Sequence, residues 1–464
     1  YVAFLGVTDL NKALDGLKKF VPGRENMGKG VIKLIAADGQ SAFVKQQGKW
    51  AFLSQDAASL TWLPMNPAAL IGAEGKNYNV AVQVKADNVP KELKAELVTA
   101  MRDGFNETAD LIGDQAPDAA PFVKLYGPAI LKGLEQLITE TDTLTYGLAI
   151  DQERKSIYLD ASFTAIEGTE MAKEFASLAQ LKSRFSGFAK LDAAASLNIT
   201  SQMAEADAQM LNAMLTAVRE PALAELSSDA NLSKTEKAAA TEVLGTVFDV
   251  LQKTIDERKF DGGAALLLGD GPGTMTFVAG GQVGDGSALD KALRTIVEFG
   301  KAESPELKAV KFDADQHSGV RFHLLTYDVP EDNEGHEVFG DSVEMAVGVG
   351  PKSVYFAFGR DTITTLKKAI DASANSNKAA MPFKLTVALG PLVKFGAAVS
   401  GDGDARELAD AFASFKGNDR IELKVTGIER GMRARIEFHE GALMLIGKTV
   451  QKAMQQQGGF PGLP

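Results

Sequence analysis

The chain has 464 residues, more than the ~250–300 at which a single hydrophobic core usually stops growing. A hydrophobic content of 45% and a charged content of 24% are those of a globular protein and exclude a disordered chain. The formal net charge is −12; it repels nucleic-acid phosphate and anionic lipid, and no basic cluster overrides it. We therefore expect at least two cores and no nucleic-acid partner.

Cysteine is absent from the sequence, which excludes disulfides, thiolate nucleophiles and cysteine metal ligands. A cysteine-free chain suits an oxidising compartment without a disulfide framework. The sequence opens at Tyr1 inside a strand-like run, and we expect an extracytoplasmic protein, periplasmic or secreted, from which a signal peptide has been removed. No run approaches the ~18 apolar residues of a membrane span, so no transmembrane segment is predicted.

The first elements predicted along the chain are a strand over residues 1–5 and a helix at 10–14. A strand over 50–53 then leads to Asp56, which is placed to cap the helix that follows. A longer helix begins near Asp87, a capping residue that stands before a first-turn proline. Apolar residues recur every four positions in this helix and are predicted to face a core. They are Leu93, Leu97, Met101 and Phe105.

Two further helices are predicted in the middle of the chain. The first has one apolar face and is interrupted by Pro221. That face is formed by Met210, Leu211, Met214, Leu215 and Val218. The second helix begins at Ser233, which forms the pattern of a capping box with Glu236. We interpret residues 201–260 as a helical connector.

Short stretches of sequence recur between the two ends of the chain. Residues 10–14 and 289–293 differ at one position. The strand before Asp56 corresponds to the strand before Asp361, and the next strands begin near Tyr78 and Phe383, at the same spacing from each aspartate. Hairpins over 148–167 and 421–440 have equal length, and each precedes a helix. Repetition of this kind indicates a duplicated unit.

The fold predicted from these patterns is α+β, built by tandem duplication. Residues 1–200 and 261–464 form the two repeats, and the helical connector at 201–260 joins them. Strands linked by short turns pair antiparallel, so each sheet is expected to be mixed and mostly antiparallel, with helices on one face. Asp56 and Asp361 should each accept a hydrogen bond from a backbone amide two or three residues on.

Residues with metal-ligand chemistry are concentrated in one segment. Imidazole and carboxylate groups are the ligands of zinc and non-haem iron, and the candidates here are His317 and His323 with Asp313 and Asp315. His336 follows in an acidic loop beside Glu334.

The spacing of these candidates fits no known ligand pattern. His323 alternates with Phe322 and Leu324 along a predicted strand, so His317, His323 and His336 are expected not to converge on one point. The sequence therefore predicts no metal, and a metal-dependent enzyme using these side chains is the alternative.

Other catalytic and cofactor patterns are absent or incomplete. Gly441 and the run 447–449 resemble a phosphate-binding loop, but five apolar residues separate the glycines where that loop has four. Asp402 and Asp404 open like a calcium loop, yet Arg406 takes the next ligand position. No Gly-x-Ser-x-Gly elbow occurs. No cofactor and no catalytic residue are predicted.

Four stretches together carry a resemblance to a known class of proteins: 9–14, 50–56, 260–263 and 419–423. With them the chain resembles large exported proteins of planctomycete-type bacteria over most of its length. The resemblance implies export, and it implies no established activity and no functional residue.

The leading hypothesis is a non-enzymatic extracytoplasmic protein, structural or ligand-binding, because duplication occurs without a recognisable catalytic constellation. Besides the metal-dependent enzyme, the other alternative is a carrier of apolar ligands in a groove between sheet and helices. The expected partner is a protein or an apolar ligand, and the sequence leaves the oligomeric state open.

Overall fold

A computed structural model describes residues 2–36, 38–61, 63–64, 66–67, 74–115, 120–230, 232–301, 304–333, 335–374, 380–415 and 417–456. Two compact units divide the chain, Tyr1–Ala81 and Val82–Pro464. The described strands are β1 Val2–Gly6, β2 Gly23–Gly28, β3 Val31–Ile35, β4 Ser41–Gln47, β5 Trp50–Ser54, β6 Val80–Lys85, β7 Thr141–Asp151, β8 Ser156–Ala165, β9 Ala195–Gln202, β10 Lys259–Leu267, β11 Thr276–Gln282, β12 Leu307–His317, β13 Val320–Asp328, β14 Ser342–Gly350, β15 Ser353–Gly359, β16 Phe383–Ala388, β17 Arg420–Ile428 and β18 Gly431–His439.

The described helices vary from one turn to seven. They are α1 Leu10–Gly16, α2 Glu74–Asn77, α3 Lys91–Gln115, α4 Ala120–Glu140, α5 Glu170–Leu178, α6 Glu205–Ser228, α7 Lys234–Asp256, α8 Gly286–Gly300, α9 His336–Phe339, α10 Thr362–Ala374, α11 Leu389–Ser400, α12 Gly403–Ala413 and α13 Glu440–Gln456.

The first unit contains a five-stranded antiparallel sheet in the order β1-β5-β4-β3-β2. Asp9 caps α1 by accepting hydrogen bonds from the amides of Asn11 and Lys12. Leu10 and Leu14 of this helix are buried against the sheet. Asp56 accepts a hydrogen bond from the amide of Ala58 at 3.1 Å, so its predicted capping role is confirmed, although the element it caps is a short 3₁₀ turn.

A thirteen-stranded sheet contains the other strands, in the order β12-β13-β14-β15-β11-β10-β9-β16-β17-β18-β8-β7-β6. The predicted α+β class and the mostly antiparallel pairing are confirmed. Part of this sheet repeats the strand order of the first sheet. The five strands β11-β15-β14-β13-β12 correspond in order to β1-β5-β4-β3-β2. The duplication itself stays a prediction, as do its boundaries at 200 and 261, which fall inside β9 and β10.

Helices lie on both faces of the sheet around β13, and not only on one as the sequence predicts. Phe322 belongs to a buried cluster with Leu366 and Ile370 of α10. The next residue, His323, is bonded to Asp290 of α8. Successive side chains of a strand point to opposite faces, so α8 and α10 cover opposite sides.

The predicted connector region contains α6 and α7. The capping box of α7 is confirmed: Ser233 accepts a hydrogen bond from the amide of Glu236, whose carboxylate accepts one from the amide of Ser233. The interruption predicted at Pro221 is wrong, because α6 continues to Ser228 with the proline inside it. A proline removes one backbone donor, and the rest of the helix keeps its ladder.

Two other sequence expectations are wrong. The first concerns Asp361, which has a φ of 52°, whereas a capping residue has an extended backbone. Within the described residues its side chain accepts no hydrogen bond from a backbone amide. Its main-chain carbonyl accepts one from the amide of Thr365.

The second concerns α3, in which Leu93 and Leu97 are 55% and 56% exposed. Their four-residue spacing shows that the helix has one apolar side, but it does not show whether another element packs on that side.

Candidate functional site

His323 is buried, and both of its ring nitrogens are occupied. Nδ1 accepts a hydrogen bond from the amide of Asp313 at 3.1 Å. The ring proton is therefore on Nε2, which lies 2.7 Å from a carboxylate oxygen of Asp290. Asp313 has a φ of 50° and lies where the pairing of β12 with β13 is irregular. The imidazole of His323 thus accepts the hydrogen bond of the Asp313 amide, which has no main-chain partner on β13 because the pairing is irregular there.

Two arginines neutralise the carboxylates beside His323. Arg321 donates to Asp290 at 2.9 Å and Arg294 donates to it at 3.3 Å. Arg294 also donates to both carboxylate oxygens of Asp313. The hydrogen bond from Arg294 holds the pKa of Asp313 below its ordinary value. This network fixes α8 against β12 and β13.

The remaining candidates each have a separate partner. His317 lies 2.6 Å from the carboxylate of Asp371. Asp315 is paired with Lys367. His336 Nε2 lies 3.0 Å from the carboxylate of Asp341, and Glu334 lies outside the described residues. The segment 313–336 therefore offers no free imidazole nitrogen at His323 and no group of ligands around one point in its described part.

In the described part of the chain, the one group with metal-ligand spacing lies elsewhere, on β17 and β18. It consists of Glu422, Glu437 and His439. Glu422 and Glu437 are directly opposite each other across the two strands. His439 Nε2 lies 3.9 Å from a carboxylate oxygen of each. Like charges in this position repel and need a cation between them.

Lys424 supplies that cation. Its ammonium group is paired with Glu422 and lies 3.6 Å from Glu437. Burial alone would raise the pKa of Glu422, but the hydrogen bond and charge of Lys424 outweigh it, and the pKa lies below its ordinary value. Ser156 donates to Glu437 at 3.0 Å, and His439 Nδ1 lies 3.0 Å from the side-chain oxygen of Asn418. The group is therefore an ion-pair network that a divalent cation could enter only by displacing Lys424.

We expect replacement of Lys424 by alanine to reverse the pH dependence of stability at this site. In the wild type the lowered pKa of Glu422 stabilises the fold above pH ~4.5, and this contribution is lost on acidification. Without the ammonium group we expect burial to raise the pKa of Glu422, so acidification should stabilise the variant. Urea denaturation at pH 4, 5.5 and 7 measures this. Equal slopes for the two proteins would contradict the role of Lys424, and Lys308→Ala, in an exposed ion pair, is the control.

No pattern in the sequence marks this group. Glu437 and His439 are two residues apart on one strand, and Glu422 and Lys424 are two apart on the next. That alternation places each pair on one face of its strand. Only the register of the hairpin brings the two pairs together.

An apolar groove of about 420 Å³ lies between the end of α6, α7 and α8. Small residues of α7, Ala239 and Ala240, form part of its wall, and Ile296 and Phe299 of α8 form the opposite part. The other lining residues are Leu226, Leu232, Glu236, Val243, Leu244, Val247, Thr295 and Gly300. Of these, only Glu236 and Thr295 carry a polar side chain. The groove is therefore suited to an apolar molecule.

The amphipathic pattern of α8 explains the groove. Ala292 and Val297 are buried, whereas Ile296 and Phe299 are 51% and 41% exposed. The helix thus has apolar residues on a second side, away from the core. One turn of α7 presents only the small side chains of Ala239 and Ala240 to this space, ahead of Val243 and Leu244 in the next turn, so α7 and α8 do not fill it. Large exposed apolar side chains that line one concave surface mark a binding site more often than chance exposure.

No known protein family, curated protein or solved structure matches this chain. Among the helices that the structure describes, none combines the length and the apolar character needed to cross a membrane.

Proposed function

We propose that this chain is a non-enzymatic, extracytoplasmic binding protein that holds an apolar ligand in the groove between α6, α7 and α8. The observation that carries the proposal is the composition of the groove, whose lining is apolar apart from Glu236 and Thr295. Its extracytoplasmic location rests on the cysteine-free sequence.

The size of the groove supports a small ligand. Ligand sites typically occupy ~300–1,000 Å³, and the groove has about 420 Å³. A chain with about 12 buried methylenes would contribute roughly 10 kcal/mol at ~0.8 kcal/mol each. Association costs at least ~4 kcal/mol. At most ~6 kcal/mol remains, so the Kd should not lie below tens of micromolar.

The chemistry of the lining favours an acyl chain or a similar unbranched apolar molecule over a polar metabolite. Glu236 already accepts the hydrogen bond of the capping box at Ser233. Its carboxylate is therefore engaged, and the groove offers few groups that could fix a polar ligand. Affinity should increase with the length of the apolar chain and depend little on its head group.

The test is a pair of tryptophan substitutions on α7. Ala240→Trp places an indole in the groove and should weaken the binding of 11-(dansylamino)undecanoic acid at least tenfold. Ala238→Trp is the matched control, since Ala238 is exposed and does not line the groove. Fluorescence titration of the dansyl group measures the affinity, and circular dichroism shows that both variants are folded.

Two results would contradict the proposal. One is the absence of saturable probe binding to the wild type. The other is equal affinity of the Ala240→Trp and Ala238→Trp variants, which would place the probe elsewhere on the protein.

A further inference from the structure

We propose that the outer edge of β6 binds an extended polypeptide strand in antiparallel orientation, and that this strand has the residue pattern of β9. The proposal concerns an interaction surface on the sheet and is independent of the helix groove. Its basis is the contrast between β6 and β16, which occupy corresponding places in the strand order.

β6 is an edge strand, and no other described strand covers its outer side. It ends the thirteen-stranded sheet, and no other strand of the described residues pairs with its outer side. All six of its residues are exposed. Val80, Val82 and Val84 are 60%, 56% and 44% exposed. Native edge strands usually carry a proline, a bulge or several charges that discourage pairing, whereas β6 has only Lys85 at its end.

The three valines share one face of the sheet. Gln83 and Lys85 donate hydrogen bonds to the hydroxyls of Thr145 and Thr143 on β7, at 3.3 Å and 3.0 Å. Gln83 and Lys85 therefore lie on one face, and the valines lie on the other.

The valine face of β6 continues onto β7. Tyr146 and Ile150 alternate with Thr143 and Thr145 along that strand, so they point to the side opposite the threonines. They are 56% and 53% exposed. The edge of the sheet thus combines unpaired main-chain groups with a continuous apolar side.

The strand order around the pairing of β18 with β8 indicates what occupies this edge. In the sheet, the strands β16-β17-β18 lie on one side of this pairing, and β8-β7-β6 lie on the other side as the same arrangement in reverse order. Ala161 and Ala434 are partners at this seam, and each lies at the same position in the hairpins that recur in the sequence, 148–167 and 421–440. β16 and β6 are therefore equivalent outer strands of two related three-stranded groups.

β16 has the partner that β6 lacks. β9 pairs antiparallel with the outer side of β16, from Phe383 opposite Ile199 to Val387 opposite Ala195. Five of the six residues of β16 are half-buried and the sixth is buried, whereas all of β6 is exposed. A strand placed against β6 as β9 is against β16 would give β6 the same environment.

The pairing of β9 defines the chemistry of the occupant. Leu197 lies beside Leu385 on the apolar face, and Asn198 lies beside Lys384 on the polar face. An occupant of β6 needs the same alternation of apolar and small polar residues. Main-chain hydrogen bonds supply the affinity in strand addition, and the alternate side chains supply the specificity.

The experiment uses the full chain and a fluorescein-labelled peptide with the sequence of residues 194–203, Ala-Ala-Ser-Leu-Asn-Ile-Thr-Ser-Gln-Met. Fluorescence anisotropy should show saturable binding. Val82→Lys, which places a charge on the edge strand, should weaken binding at least tenfold. Leu159→Lys is the matched control, because it adds the same charge at an exposed position of β8, on the same face but two strands away from the edge, and it should change the affinity less than threefold.

Peptides methylated on alternate backbone nitrogens test the pairing directly. An extended strand directs alternate amides to opposite edges. Methylation of one set should abolish binding, and methylation of the other set should not.

Four outcomes would overturn the proposal. The first three are the absence of peptide binding, equal weakening by Val82→Lys and Leu159→Lys, and equal effects of the two methylated peptides. A concentration-dependent dimer of the wild type that Val82→Lys dissociates, seen by sedimentation, would also overturn it, because the edge would then be occupied by a second copy of the chain.

Discussion

Replacement of Asp160 by alanine is expected to lower the free energy of unfolding by about 3 kcal/mol, because it removes the acceptor of a buried ion pair. The carboxylate of Asp160 is fully buried on β8. It accepts two hydrogen bonds from Arg435 of β18, at 2.7 Å and 2.8 Å, and Arg433 lies 3.7 Å away. The guanidinium of Arg435 also lies 3.7 Å from the centre of the Tyr158 ring. Its hydrogen bonds with Asp160 raise the pKa of Arg435. A guanidinium stays protonated at neutral pH even without such a partner, so the variant keeps a charge that has lost its counterion.

The position of this pair explains the size of the effect. Asp160 and Arg435 join β8 to β18, the seam between the two three-stranded groups. Urea denaturation followed by circular dichroism measures the loss. Asp328→Ala, which breaks an exposed cross-strand pair with Lys308, is the control and should cost less than ~1 kcal/mol. Equal losses in the two variants would show that the seam does not depend on the buried pair.

Replacement of His323 by alanine is expected to cost about 4 kcal/mol, from two sources. The amide of Asp313 loses its partner in a partly buried hydrogen bond, which costs about 1 kcal/mol. The imidazole is completely buried, and it meets the ring of Phe312 edge-on at 5.5 Å between centres, so its removal also leaves a cavity. Asp290 keeps its two arginines, which limits the loss.

Urea denaturation of His323→Ala is compared with that of His336→Ala. The comparison separates a structural role of His323 from a general effect of removing a histidine. His336 lies in an ion pair with Asp341, whose side chain is 98% exposed, and its replacement should change stability by less than ~0.5 kcal/mol. A His323→Ala variant that is as stable as the wild type, together with loss of a bound transition metal, would contradict the structural role and restore the metal-enzyme alternative.

Local features of the fold could be predicted from the sequence because they depend on neighbouring residues. The capping box at Ser233 and the cap at Asp56 each involve residues two or three positions apart. The hairpins over 148–167 and 421–440 are also local, and the structure has them as β7–β8 and β17–β18. Asp361 is the exception, because the turn after β15 places it at a positive φ that no residue pattern signals.

The candidate sites could not be predicted in the same way because they depend on contacts between distant elements. The partner of His323 is Asp290, 33 residues away. Glu422 meets Glu437 only in the observed register of β17 and β18. The groove depends on which parts of α7 and α8 remain uncovered, and the spacing of apolar residues shows only that each helix has an apolar side. Leu93 and Leu97 fail for the same reason.

Hydrogen–deuterium exchange of the full chain with and without dodecanoic acid tests the proposed ligand groove most directly. We predict slower exchange of amides in residues 239–247 of α7 and 295–300 of α8 when the ligand is present, and unchanged exchange in β17 and β18. Loss of this protection in Ala240→Trp, with its retention in Ala238→Trp, would assign it to the groove. No protection at saturating ligand, or protection confined to other parts of the chain, would contradict the proposal that the groove between α6, α7 and α8 binds an apolar ligand.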